Sequence, residues 1–152
     1  MKMSLVSNLF LIPVVSFLVM GCTGVRPSNL GIREGRLAPC PSSPNCVSSQ
    51  SRDQEHAIEP LPFTGSVANA HEELKRVILG MKRSRITDET DNYIRAEFTS
   101  ALFRFVDDVE FWFDDNADLI QVRSASRLGY SDMGVNRKRV EEIRALWKEQ
   151  GK

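Results

Sequence analysis

The chain has 152 residues, enough for one ordinary domain, and its 41% hydrophobic and 26% charged content is typical of a globular protein. This composition argues against a disordered chain, a coiled coil or a multispanning membrane protein. The 20 basic and 20 acidic residues balance, so nothing indicates the basic surface that nucleic-acid binding requires.

The amino end carries an export pattern. Lys2 precedes the apolar run LVSNLFLIPVVSFLVM, which is too short and too interrupted to span a bilayer in the way that roughly 20 apolar residues do. The run ends in VMGC at residues 19–22, which resembles the lipobox of bacterial lipoproteins. We predict a signal peptide over residues 1–21, cleavage before Cys22, and lipid, including palmitate, on Cys22. An uncleaved anchor or an ordinary secretory cut would also export the domain.

The residue after Cys22 is Thr23, where inner-membrane lipoproteins of enteric-like bacteria have a retention-type Asp. By that resemblance we expect an extracytoplasmic protein, with the outer membrane favoured and the domain facing the periplasm. Several acyl chains, each contributing roughly 0.8 kcal/mol per buried methylene, would anchor it without a transmembrane helix.

The residues that follow are rich in glycine, proline and cysteine. We predict a flexible tether over 22–38 and one α+β domain over 39–152, beginning with an irregular arm at 39–63. Export places Cys40 and Cys46 in an oxidising compartment, and PSSPN between them favours a turn, so we predict a disulfide contributing about 2 to 3 kcal/mol.

Periodicity then predicts two helices and three or four strands. Leu74, Val77, Ile78 and Met81 share one helical stripe in a helix over 67–81, with Ser66 and Asn69 as cap candidates. Alternating runs predict antiparallel strands over 92–100, 103–114 and 118–127, with a possible short strand at 85–89. Val140, Ile143 and Trp147 form a second helical stripe in a segment that begins near 132–136. The fold class is therefore a two-layer α+β domain with two helices on one face of the sheet.

The strand register follows from requiring that paired residues share a face of the sheet. This requirement predicts the pairs Phe113–Ile120, Phe111–Val122, Val109–Ser124, Asp107–Ser126, Phe98–Phe105 and Ala96–Asp107, with Phe103 and Phe105 on the core side. The opposite face then collects Arg95, Asp108, Glu110, Arg123 and Arg127. There we expect Arg95 opposite Asp108 and Glu110 opposite Arg123, as structural pairs contributing roughly 0.2 to 1 kcal/mol each.

Asp107 is the anomaly on the core face, because a buried carboxylate requires partners. Three possibilities are open: it belongs to a structural network, it lies at a solvated end of the sheet, or it lines a functional pocket.

Three stretches carry a family resemblance: CPSSPNCVSS at 40–49, FVDDVEF at 105–111 and RSASRLGYSDMGVNRKR at 123–139. They resemble the family called domain of unknown function 1499, over roughly residues 36–147. The resemblance implies an exported protein and carries no activity, cofactor or catalytic residue.

The candidate ligand-binding site lies where the last strand joins the last helix. A helix amino terminus and arginine side chains together favour binding of a carboxylate or phosphate. The candidate residues are Asp107, Arg123, Ser124, Ser126, Arg127, Asp132, Asn136 and Arg137. The alternative interpretation is purely structural: Ser131 or Asp132 caps the helix, and the arginines pair with Asp107, Asp108 and Glu110.

Three functions are compared. The pattern favours a membrane-tethered module that binds an envelope protein or an anionic small molecule. The second is a small hydrolase with His56 as base for a serine near 124–126, since His71 is expected on the polar side of helix one; no G-x-S-x-G motif supports it. The third is a purely structural envelope protein. The sequence indicates no metal ligand cluster and no cofactor.

Overall fold

The computed structural model describes residues 23–150. In chain order the elements are β1 (Cys46–Ser48), β2 (Leu61–Pro62), α1 (Val67–Gly80), β3 (Ser84–Thr90), β4 (Tyr93–Thr99), β5 (Val106–Asp114), β6 (Leu119–Ser126) and α2 (Val135–Gln150). Neither helix of the described residues could span a lipid bilayer.

The strands form one antiparallel sheet in the order β1-β6-β5-β4-β3, and β2 also pairs with β6. The α+β class is confirmed, but the predicted three or four strands are too few, because the sheet has six. The two missed strands, β1 and β2, are three and two residues long. Such short segments, in a stretch rich in proline, show no measurable alternation, and only pairing with β6 makes them strands.

Both helices begin where the sequence predicts. Ser66 caps α1, because its hydroxyl accepts a hydrogen bond from the backbone N–H of Asn69 at 3.2 Å. Asp132 lies just before α2 and accepts hydrogen bonds from the N–H groups of Gly134 at 3.0 Å and Asn136 at 2.7 Å. A carboxylate at this position also complements the helix dipole.

The helices pack on one face of the sheet around an apolar core. At its centre are fully buried side chains from α1, α2 and the three long central strands: Leu74, Ile78, Ile94, Val109, Phe111, Ile120, Val122, Val140 and Ile143. His71 also faces this core, 6% exposed and with its ring 5.2 Å from that of Phe113. The expectation that His71 lies on the polar side of α1 is wrong, since it precedes Leu74 by three residues and so shares its face.

The predicted β5–β6 register is confirmed at all four pairs, including Phe111 with Val122 and Asp107 with Ser126. The β4–β5 register is wrong by two residues, because Phe98 lies opposite Asp107 and Ala96 opposite Val109. A shift of two keeps each residue on its face, so the pattern could not detect it.

The shift leaves residues 100–105 as a loop. Phe103 and Phe105, predicted on the core side, are 63% and 41% exposed. The loop is closed by hydrogen bonds from the Ser100 N–H to the Phe105 carbonyl at 2.8 Å and from the Phe105 N–H to the Ser100 hydroxyl at 2.9 Å.

The second face of the sheet is covered by residues 23–45, which we call the amino-terminal arm. The Gly31 N–H donates to Glu110 Oε1 at 2.7 Å, and Arg26 pairs with Asp88 at 3.1 Å. Leu37 is buried. The residues expected to form a flexible tether therefore contact the domain from residue 24 onward.

The disulfide Cys40–Cys46 is confirmed, with an S–S distance of 2.04 Å. Cys46 belongs to β1 and is fully buried. The bond thus joins the amino-terminal arm to the edge of the sheet.

Candidate functional site

The predicted site residues divide between the two faces of the sheet. Ser124 and Ser126 face the helices, whereas Arg123 lies under the amino-terminal arm with Asp108 and Arg127. Successive strand residues point to opposite faces, so one run of sequence supplies two separate clusters.

The first cluster centres on the fully buried Asn136 at the start of α2. Its amide nitrogen donates to the Asn45 carbonyl at 3.0 Å, the Ser126 hydroxyl at 2.9 Å and Asp132 Oδ2 at 2.8 Å. Its amide oxygen accepts from the Ser124 hydroxyl. Through these hydrogen bonds, Asn136 connects α2 to β6 and to the residue before β1. Such connections are typical of a structural hydrogen-bond network.

Arg139, which was not among the predicted site residues, also belongs to this first cluster. Its guanidinium donates to Asp107 Oδ2 at 2.6 Å and to Asn136 Oδ1 at 2.8 Å, and lies 4.9 Å from the centre of the Phe98 ring. The carboxylate of Asp107 thus has a charged partner, as the network possibility requires. The three-residue spacing of Arg139 from Asn136 on α2 was the available signal.

The second cluster lies under the amino-terminal arm and consists of ion pairs. We call the following residues the buried ion cluster: Arg95, Glu97, Asp108, Glu110, Arg123 and Arg127. Asp108 accepts from Arg95 at 2.8 Å and from Arg127 at 2.7 and 2.9 Å.

Glu110 and Arg123 form the remaining ion pair of this cluster. Glu110 accepts from Arg123 at 3.1 Å and from the Tyr93 hydroxyl at 2.8 Å. The pair Glu110–Arg123 is cross-strand as predicted. Arg95, by contrast, lies opposite Glu110 and reaches Asp108 diagonally.

Burial and charge shift the titration of this cluster. Burial raises the pKa of Tyr93 above its usual range, and the neighbouring Glu110 adds to the shift. For Glu97, burial raises the pKa, but hydrogen bonds from Arg85 and Arg127 outweigh it and bring the pKa to about 2. Glu97 is therefore ionised near neutral pH and neutralises the arginines beside it.

Arg137, the remaining candidate, belongs to neither cluster. Its guanidinium donates to the backbone carbonyls of Ala57 and Glu55, both at 2.8 Å. Arg144 makes the equivalent contact about two turns later on α2, with the Pro60 carbonyl at 2.8 Å. These arginines hold residues 55–60 against the helix.

His56, the proposed base of a hydrolase, is nearly buried and both of its ring nitrogens have partners. Nδ1 lies 2.7 Å from Asp53 Oδ1 and Nε2 lies 3.2 Å from the Ser43 carbonyl. The hydroxyl of Ser124 bonds to Asn136 and that of Ser126 accepts from the same residue. Within the described residues, no serine hydroxyl is hydrogen-bonded to His56.

One group of side chains between α1 and β3 has the composition of a metal site. The ligand atoms of His71, Glu72 and Glu89 all lie within 4.8 Å of one another. However, the Lys75 ammonium is 2.7 Å from Glu89 Oε1 and already supplies a cation there. We therefore assign this group to the packing of α1 against β3.

A cavity of about 720 Å³, the basic cavity, opens between the end of α1, the end of β4 and the start of α2. Its charged lining comprises Lys82, Arg83, Lys138, Arg139 and Glu142. Met81, Phe98, Val135 and Leu146 provide apolar walls. Within the described part of the chain, Lys82, Arg83 and Lys138 form no ion pair. None of the eight site residues predicted from the sequence lines this cavity, because only the fold brings residues 80–83, 98–101 and 135–146 together.

A smaller cavity of about 340 Å³ lies beneath the amino-terminal arm, where Arg123, Arg127 and Asp108 meet Pro39 and Cys40. Among the described residues, Nε of Arg123 and Nε of Arg95 have no hydrogen-bond partner. The paired carboxylates nevertheless neutralise these guanidinium groups, so this cavity is weaker as an anion site than the basic cavity.

A comparison with curated proteins finds no match. The family model described as "Protein of unknown function (DUF1499)" matches residues 36–146. This range runs from the amino-terminal arm through most of α2, and it includes the disulfide, both polar clusters and the basic cavity. The chain belongs to this family.

Proposed function

We propose that this protein is a lipid-anchored module of the bacterial cell envelope that binds an amphipathic anion in the basic cavity. The anchor rests on the lipobox-like residues 19–22, and the outer membrane, facing the periplasm, is its favoured location. The observation that carries the binding activity is the basic cavity, with its four cationic side chains and one carboxylate.

The lining of the basic cavity favours a ligand with both a charged and an apolar part. Lys138 and Lys82 are exposed and offer ammonium groups that bind phosphate or carboxylate. Phe98 and Leu146 are apolar walls of the same cavity, against which an alkyl chain can pack. A phosphate or carboxylate on a hydrocarbon chain, as in an envelope lipid, satisfies both parts.

The geometry gives less support to the hydrolase. A general base must reach the proton that it removes, at about 2.6 to 3.2 Å, whereas Nε2 of His56 faces a carbonyl. A purely structural envelope role is consistent with the two polar clusters. It does not explain why three cations without ion pairs line the same cavity.

The anchor is tested by intact-mass measurement on protein extracted from membranes. We expect a polypeptide that starts at Cys22 and carries acyl chains, and we expect Cys22→Ser to remain unacylated and to leave the membrane fraction on alkaline washing. An unmodified polypeptide cut elsewhere would contradict the anchor.

The cavity is tested by calorimetric titration with hexyl phosphate, inorganic phosphate and hexanol. We expect hexyl phosphate to bind most tightly, because the other two each satisfy only one part of the lining. Lys138→Glu should weaken its binding about tenfold or more, since it replaces an attraction by a repulsion. Arg52→Glu, which changes an exposed arginine outside the basic cavity, is the matched control. Equal binding by both variants would contradict the proposal.

A further inference from the structure

Exposed apolar side chains are concentrated at one end of the domain. Among the described residues, nine large hydrophobic side chains are exposed, and seven of them lie in the β4–β5 loop or between β6 and the first residue of α2. We call these seven the apolar end: Leu102, Phe103, Phe105, Leu128, Tyr130, Met133 and Val135. Single exposed hydrophobic residues are ordinary, but such a cluster indicates an interaction surface.

The two segments of the apolar end are neighbours in space. The Arg127 N–H donates to the Val106 carbonyl at 3.1 Å, so the β6–α2 connection leaves the sheet beside the point where the β4–β5 loop returns to it. Within the loop, the rings of Phe103 and Phe105 are 5.7 Å apart. The two segments of the apolar end therefore lie next to each other at one end of the sheet.

The amino-terminal arm starts at this same surface. A β-carbon placed on Gly24 would lie 2.9 Å from Cβ of Arg127 and 3.0 Å from Cγ of Leu128. Two residues of extended chain span at most about 7 Å. Because Cys22 is two residues before Gly24 in the chain, an acyl chain on Cys22 would be attached no farther than about 7 Å along the backbone from the apolar end.

Cationic side chains accompany the apolar end. Arg104 stands between Phe103 and Phe105 and is exposed, and the exposed Lys82, Arg83 and Lys138 line the adjoining basic cavity. The one carboxylate among residues 100–105 and 127–135 is that of Asp132, which accepts hydrogen bonds from the N–H groups of Gly134 and Asn136. Apolar tips beside basic side chains are the arrangement by which peripheral proteins enter an anionic lipid surface.

We propose that the apolar end docks into the headgroup region of a leaflet containing anionic phospholipid, the leaflet that holds the acyl chains of Cys22. The placement beside an anchor rests on the proposed lipidation, whereas the affinity of the apolar end for lipid does not. In this orientation the basic cavity opens close to the membrane surface, where an amphipathic anion is available.

The affinity is tested without acyl chains, using residues 23–152, which contain the core, both helices and every strand described above. We expect this protein to sediment with phosphatidylcholine vesicles that contain phosphatidylglycerol, and less as salt is raised. Leu102→Ser combined with Phe103→Ser should lower partitioning about tenfold or more, because both side chains would enter the interface. Leu79→Ser, which changes an exposed leucine of α1 outside the apolar end, should leave it unchanged. Equal partitioning by these variants overturns the proposal.

The orientation is tested by holding the same protein to vesicles through an amino-terminal histidine tag and nickel-chelating lipid, which replaces the natural anchor. A polarity-sensitive fluorophore on M133C should shift to the blue and be quenched by lipids carrying a spin label on the acyl chain. The same fluorophore on L79C should not respond. No response from M133C overturns the proposal, and so does an equal response from both positions, even if Cys22 is acylated. If the apolar end docks but Cys22 proves to be unmodified, the proposed lipid anchor is wrong and the docking proposal stands.

Discussion

The two faces of the sheet are both buried, but by opposite means. On the helix face, Val109, Phe111 and Val122 pack against α1 and α2 in an apolar core. On the arm face, Asp108 and Glu110 are 1% and 0% exposed and are surrounded by arginines. The helix face derives its stability from burial of apolar surface, whereas the arm face depends on complete pairing, because an unpaired buried charge costs several kcal/mol.

The comparison also explains why residues 123–137 read as one motif, although their side chains divide between the two faces of the sheet. Arg123 and Arg127 are neutralised by Glu110, Asp108 and Glu97 under the amino-terminal arm. Among the described residues, Lys82, Arg83 and Lys138 of the basic cavity and Arg104 of the apolar end, by contrast, form no ion pair. Function is therefore proposed at the end of the domain rather than on either face of the sheet.

The largest effect should come from removing one partner of the buried ion cluster. Asp108→Asn leaves Arg95 and Arg127 with a neutral partner, so we expect the free energy of unfolding to fall by about 3 to 5 kcal/mol in urea denaturation. Asp115→Asn, on an exposed turn residue, should change it by less than about 0.5 kcal/mol. Equal effects would show that the arm face does not depend on charge pairing.

The next largest effect should come from the bond that closes the arm. Replacing both cysteines, Cys40→Ala with Cys46→Ala, should lower the free energy of unfolding by about 2 to 3 kcal/mol. Amide hydrogen exchange should then increase first in residues 24–45, because the arm can open locally without unfolding the helix face. Uniform acceleration across the whole domain would mean that the two faces unfold as one unit.

On the helix face, Val109→Ala offers the comparison to Asp108→Asn, because the two residues are adjacent and point to opposite faces. Deleting two buried methyl groups should lower the free energy of unfolding by about 2 kcal/mol. The difference between the faces should appear in salt: the loss for Val109→Ala should not change with ionic strength, and that for Asp108→Asn should. If ionic strength changed the loss of stability equally in both variants, the two faces would not differ in how they are stabilised.

The smallest effect should be a dependence of stability on pH through His56. Burial alone would lower the pKa of His56, but hydrogen bonds with the Ser43 carbonyl and the Asp53 carboxylate outweigh it and raise the pKa above 6.5. A raised pKa in the folded state means that this contribution is full below the unfolded pKa and is lost as the pH rises through the folded pKa.

We therefore expect the urea midpoint of the wild type to fall from about pH 6 to about pH 8, and His56→Gln to reduce that fall. Asp53→Asn should reduce it as well, since it removes the carboxylate that favours the protonated ring. If the urea midpoint of His56→Gln fell as much as that of the wild type over this pH range, groups other than His56 would cause the pH dependence.

Part of the two polar clusters was visible in the sequence, but the basic cavity was not. The polar residues of 123–137 stand out at the junction of a strand and a helix, and the need of Asp107 for a partner was predictable. The contact between Asp107 and Arg139 depends on how α2 packs against the sheet. The basic cavity depends on three segments that are far apart in sequence. Neither is encoded in a local pattern.

The sequence by itself determined the local elements: both helices, the four longer strands, the Cys40–Cys46 bond and the β5–β6 register. Periodicity and turn residues act within about ten residues, which is the range of these features. Only the tertiary structure decided that β1 and β2 extend the sheet, that Phe98 pairs with Asp107 rather than Phe105, and that the amino-terminal arm buries the charged face. These outcomes depend on which segments, far apart in the sequence, bury surface against one another. Such contacts are set by the packing of the whole chain and not by any local pattern.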